Sequence, residues 1–161
     1  MGSETTKETM IQHLKHAVEV GTRATQLGGQ PFGAILVAED GRVLAEQGNV
    51  NILNHAEDVL CRHAFINYPT ETLKKCTMYA SFEPCSMCSS AIYWSGIGKL
   101  VYGIDQKRFF EATGLNENNF PTLKIPCRDV FNAGNNKVEV VGPFPEIEKD
   151  ILKDHLEYWK K

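Results

Sequence analysis

No run of apolar residues in this sequence approaches the length of a membrane-spanning helix, and no secretory leader precedes its first helical pattern. The expectation is a cytoplasmic protein without membrane contact. Basic residues never gather either: Lys74-Lys75, Lys107-Arg108 and Lys160-Lys161 are short pairs in a chain whose formal net charge is −3. A surface that holds a polynucleotide shows a basic patch, because phosphate neutralisation dominates such affinity, so nucleic acid is disfavoured as a partner. No phosphate-binding cluster points to a mononucleotide. The five cysteines form an odd count that suits a reducing compartment better than a disulfide framework. Repeats and low-complexity tracts are absent as well. What remains is 161 residues with 42% apolar content, enough for one domain over 1–161 with a continuous core.

Against that background two short motifs stand out, His55-Ala56-Glu57 and Pro84-Cys85-Ser86-Met87-Cys88. Zinc prefers imidazole and thiolate ligands in a tetrahedron, and a catalytic site uses three of them and leaves the fourth position open. His55, Cys85 and Cys88 supply that count. Two cysteines three apart turn both sulfurs toward one ion at the first turn of a helix, where the helix N-terminus stabilises thiolates. Pro84 favours a helix start at that point. Glu57 projects beside the ion without having to ligate it, so it can take a proton from water that the ion activates. Each motif alone is weak; together, with a strand-like run between them, they define one zinc ion per chain. The other cysteines make poor fourth ligands: Cys61 lies about 240° round a helix from His55, and Cys76 opens the intervening strand roughly 20 Å from Cys85. Cys127 stays open as a fourth ligand.

The remaining pattern supplies a scaffold. Thr5 and Glu8 form a capping box for a first helix, whose apolar residues Met10, Leu14, Ala17, Val18, Gly21 and Ala24 recur at helical spacing up to Gly28-Gly29. Ala34–Val37 and Arg42–Ala45 flank an Asp-Gly turn and read as a hairpin that leads to Asn49. A second helix runs from His55 to about Tyr68, capped by Asn54, with Val59, Leu60, Phe65 and Ile66 available for burial. Thr77–Phe82 is a strand, and a third helix continues from Ser89 to Ser95 with Trp94 assigned to a core or a dimer interface. Leu100–Ile104 is a buried strand parallel to the preceding one. Phe109–Gly114 and Asp129–Ala133 read as short helices, and Lys137–Val141 as a last strand. Pro143 and Pro145 introduce a C-terminal docking helix at about 145–161, with Ile147, Ile151, Leu152, Leu156 and Trp159 on one face.

His-x-Glu followed by Pro-Cys-x-x-Cys is the signature of zinc deaminases, and it is complete here. The chain resembles the cytidine and deoxycytidylate deaminase superfamily over about residues 31–142. That resemblance implies an α/β fold, a three-layer α/β/α sandwich around a five-stranded mixed sheet. It further implies a hydrolytic deaminase that releases ammonia from a small nucleobase or nucleoside, and a homodimer. It places the substrate against Asn49, with Asn51 and Asn54 as competitors for that role, against Phe32 and against backbone groups at Ala56 and around Ser81-Phe82; the C-terminal helix is expected to dock on the domain, with closure of the pocket by Tyr158 or Trp159 as the alternative. Pro31-Phe32-Gly33-Ala34, Glu83-Pro84-Cys85 and Ala91-Ile92-Tyr93-Trp94 look most like bacterial guanine deaminases, which favours a purine. Cytosine or cytidine, adenosine in transfer RNA, and a non-catalytic zinc module are the alternatives. Only five residues separate Asn49 from His55, where the family has a longer loop, so the rim of the pocket is remodelled.

Overall fold

A computed structural model describes residues 5–160. Helix α1 (Lys7–Gln26) is followed by the hairpin β1 (Gly33–Val37) and β2 (Val43–Gly48), then α2 (Ala56–Asn67) and a single turn α3 (Thr70–Leu73). Strand β3 (Thr77–Phe82), α4 (Ser86–Ser95) and β4 (Lys99–Ile104) form the centre of the chain. Two short helices, α5 (Gln106–Thr113) and α6 (Cys127–Asn132), precede β5 (Glu139–Val141) and the final helix α7 (Glu148–Tyr158).

The strands form one five-stranded sheet in the order β2-β1-β3-β4-β5. Strand β1 is antiparallel to both its neighbours, whereas β3, β4 and β5 run parallel. The sheet is thus mixed, as expected, and helices cover both of its faces. Side chains alternate between the faces at the strand period of two. Leu36, Met78, Ala80, Leu100 and Tyr102 pack with α2, α4 and α6. Their neighbours Ile35, Val37, Tyr79 and Val101 pack on the other side with α1, α5 and α7. The central strands are buried on both faces, which explains why they read as continuous apolar runs. Helix α1 lies so close to β1 that a Cβ on Gly33 would sit 2.1 Å from the Ala17 carbonyl oxygen. Glycine is required there by contact, not by dihedral angle.

Several local expectations change. The N-cap of α1 is Thr6, whose hydroxyl accepts from the Thr9 amide, one residue after the predicted cap. His55 itself occupies the N-cap of α2, because Asn54 is committed to a turn with Asn51. Helix α3 carried no periodic signal, being a single turn after Pro69. Phe65 and Ile66 face outward, at 54% and 82% exposure, and Trp94 at 79% is outside the core. At the C-terminus Ile147, Ile151 and Leu152 are buried as expected, while Leu156 is half exposed. Residue 161 of the predicted docking helix lies outside the described residues.

Candidate metal centre and active site

The two motifs meet because each closes a strand-to-helix or loop-to-helix junction at the same side of the sheet. His55 and Cys85 both occupy N-cap positions with extended backbone, at the starts of α2 and α4, and Cys88 lies one turn into α4. The His55 Nδ1 atom lies 3.6 Å from the Cys85 sulfur and 3.5 Å from that of Cys88. An ion with bonds of about 2.3 Å to sulfur and about 2.05 Å to nitrogen at tetrahedral angles separates those atoms by about 3.6 Å. The donor set therefore fits zinc in both chemistry and spacing. Among the described residues these three form the one such cluster of His, Cys, Asp or Glu. Cys127 is buried elsewhere, with its amide donating to Glu83, and is not the fourth ligand.

Electrostatics agree with that role. Cys85 is held down to about 4 by hydrogen bonding from Cys88 and by the nearby imidazole, so it is a thiolate. Cys88 is pushed up by that anion and by burial, the response of a second sulfur beside a first when no cation balances them. His55 rises to about 9, mainly through its hydrogen bond with Cys85. Two sulfurs and an imidazole nitrogen crowded on one point share protons between them, and a metal ion placed there would displace those protons. Glu57, on the first turn of α2, is buried, and burial first and the Cys85 charge second raise it to about 7. Its carboxyl lies beside the sulfurs without being part of the ligand cluster.

A cavity of about 360 Å³ opens beside this cluster. His55, Glu57 and Cys85 share its wall with five phenylalanines, Phe32, Phe82, Phe109, Phe110 and Phe120, and with the amides of Gln30, Asn49 and Gln106. Phe32 and Asn49, expected against the substrate, both line this cavity. Asn49 is already oriented: its Oδ1 accepts from the Gln30 amide at 3.1 Å and its Nδ2 donates to the Asn51 carbonyl at 3.1 Å. Ala56 and Ser81 are buried and do not line the cavity; the Ser81 hydroxyl accepts from the Gly33 amide at 3.3 Å. Trp159 supports the wall from behind, with its ring 4.9 Å from that of Phe120. Gln106 gave no signal in the sequence beyond following the helix cap Asp105. Its placement depends on Glu83, whose two carboxylate oxygens accept from the amides of Gln106 at 3.0 Å and Cys127 at 2.9 Å, so that one buried side chain caps both α5 and α6.

An open three-ligand zinc centre with a buried carboxylate, set beside an aromatic cavity on a mixed α/β sheet, defines a zinc-dependent hydrolytic deaminase. A family model of the cytidine and deoxycytidylate deaminase zinc-binding region matches residues 7–104, and the chain belongs to that family. It is 34% identical over 163 residues to a protein of Schizosaccharomyces pombe described as a probable cytosine deaminase, covering 99% of this chain and 98% of the relative. It is also 35% identical over 154 residues to the tRNA-specific adenosine deaminase of Haemophilus influenzae, covering 87% and 89%. The fold matches that of the guanine deaminase from Nitrosomonas europaea with a TM-score of 0.67 at 23% identity, over 92% of this chain and 84% of that one.

Proposed function

We propose that this chain removes the exocyclic amine of a small free nucleobase, with a guanine-like purine as its first substrate. The observation that carries the reading is the cavity. Its aromatic wall suits a planar ring, its amides suit the ring's polar edge, and its volume leaves room for a bicyclic base. His55, Cys85 and Cys88 hold the metal in this reading. Zinc in that position acts as a Lewis acid and lowers the pKa of a water molecule from that of bulk water toward about 7. Glu57 accepts one proton of the attacking water and delivers it to a ring nitrogen, then takes the second from the hydroxyl added to the ring carbon and gives it to the departing amine. One carboxylate serves as base and then as acid, and the balance is amine plus water to carbonyl plus ammonia. Asn49 holds the base by its fixed amide, and the partly exposed Phe110 stacks on it with the buried Phe109 behind.

The full-length similarity to the Schizosaccharomyces pombe protein supports cytosine as a second reading. A transfer-RNA substrate is weaker. Exposed cations here are dispersed and paired with acids, Arg23 with Glu46, Arg108 with Glu148 and Lys124 with Glu117, rather than collected into a track for phosphates. The thiols of Cys61, Cys76 and Cys127 are free, which supports a reducing, cytoplasmic setting. We extend the proposal to one domain over 1–161 working as a homodimer.

The test is ammonia release by the zinc-loaded protein against guanine, 2,6-diaminopurine, cytosine, their nucleosides and a transfer-RNA anticodon stem. Turnover of a free purine is expected. Turnover of cytosine alone would replace the purine by the pyrimidine, and activity confined to RNA would sink the small-molecule reading.

A further inference from the structure

The short connection between Asn49 and His55 has almost no packing of its own. Ile52 and Leu53 are 61% and 65% exposed, so burial does not hold the backbone that leads into the metal ligand. Hydrogen bonds do, and they converge on one side chain. The Asn51 Oδ1 atom accepts from the Leu53 amide at 3.0 Å, the Asn54 amide at 2.8 Å and the Asn54 side chain at 3.2 Å. The Asn54 carbonyl closes the turn by accepting from the Val50 amide at 3.0 Å.

This turn fixes the carbonyl of Ile52, which lies 2.8 Å from His55 Nε2. A carbonyl can only accept, so Nε2 donates to it and Nδ1 is the ring nitrogen directed at the two sulfurs, the one that ligates once a metal displaces its proton. The same residue reaches the substrate side: the Asn51 carbonyl accepts from Nδ2 of Asn49, which fixes the amide that faces the cavity. We propose that Asn51 is a positioning residue for the metal centre, fixing the direction of the His55 ring through the Ile52 carbonyl and holding Asn49 at the same time. It touches neither metal nor base. Outer partners of this kind change metal affinity or activity by about 10- to 100-fold when removed.

The kinetic half of this inference rests on the deaminase reading, and the metal half does not. The experiment therefore measures zinc affinity first, by competition with a chromogenic chelator, in the parent, Asn51→Ala and Asn51→Asp. Aspartate keeps the Oδ acceptor and so keeps the turn. Alanine is expected to weaken zinc binding about 10-fold or more and to raise KM, with aspartate restoring both. A residue that merely stabilises the loop would lower the melting temperature and leave zinc affinity at the parent value, which would overturn the proposal. Equal loss in both variants would overturn it too, because the acceptor would not be what matters. If Asn51→Ala fails to fold, the aspartate variant decides: parent-like zinc affinity is expected, and a 10-fold loss refutes the role. Should the parent deaminate none of the bases offered, the zinc measurement still stands, so failure of this inference and failure of the functional reading remain distinct.

Discussion

Glu57 shows what burial does to a single side chain. Taken out of water beside a thiolate, its carboxyl prefers to hold a proton and is raised from 4.5 to about 7. A zinc ion bound beside it would add positive charge that opposes the rise, and the general acid-base role proposed for Glu57 needs a carboxyl that titrates near neutral pH. Replacing it tests the role cleanly. Glu57→Gln keeps shape and removes the proton acceptor, so the variant is expected to bind zinc stoichiometrically while turnover drops by about 10²- to 10⁴-fold. Metal content by atomic absorption, paired with ammonia release, separates those effects. Undiminished turnover would take Glu57 out of the mechanism. This part of the molecule was legible in the sequence because metal chemistry fixes residue type and spacing together. Asn51 and Gln106 were not, since their roles come from contacts that a turn and a distant carboxylate create.

At the scale of elements, the C-terminal helix is tied to the cavity wall through His155. This imidazole is fully buried on α7, with its ring 4.8 Å from those of both Phe32 and Phe109. The Trp159 indole donates to its Nδ1 at 3.2 Å, and its Nε2 turns toward the backbone at Pro31 without a full hydrogen bond. Burial lowers it from the ordinary 6.5 to about 3. The folded state thus holds His155 neutral where the unfolded chain would protonate it. Its stabilising contribution is complete above about pH 6.5 and is lost as pH falls toward about 3, at roughly 1.4 kcal/mol per pH unit inside that window. Urea midpoints of the parent and His155→Gln, compared from pH 7 to pH 4, are expected to converge on the acid side. Parallel curves would place the titration elsewhere. The sequence foresaw α7 and its Ile151 and Leu152 face by periodicity. It gave no sign of His155, because a lone histidine among apolar residues looks the same whether it is buried or exposed.

Across the whole molecule, the mixed sheet follows from the family resemblance, and the order of strands and helices agrees with it and puts the motifs at helix starts, whereas the outer face of α2 differs from expectation. Phe65 and Ile66 are apolar enough for a core, yet the core beneath α2 is filled by Leu60, Cys61 and Ala64, and these two face solvent with Trp94. Phe65, Ile66, Met87 and Trp94 line one surface groove, and Met87 also borders the mouth of the cavity together with Ile52 and Leu53. An apolar surface of this extent, holding a tryptophan and running to the rim of the active site, is what a subunit interface presents before it is covered. The homodimer proposed above then has a definite location and a definite consequence. The parent is expected to sediment at twice the chain mass, and Trp94→Glu with Ile66→Glu at the chain mass. A second copy seated on this groove would reach the 52–53 rim through Met87, so the monomeric variant is expected to show a higher KM with little change in zinc content. A parent that sediments as a monomer at micromolar concentration would leave these side chains without a second copy to meet, and the rim of the cavity would have to be complete within one chain.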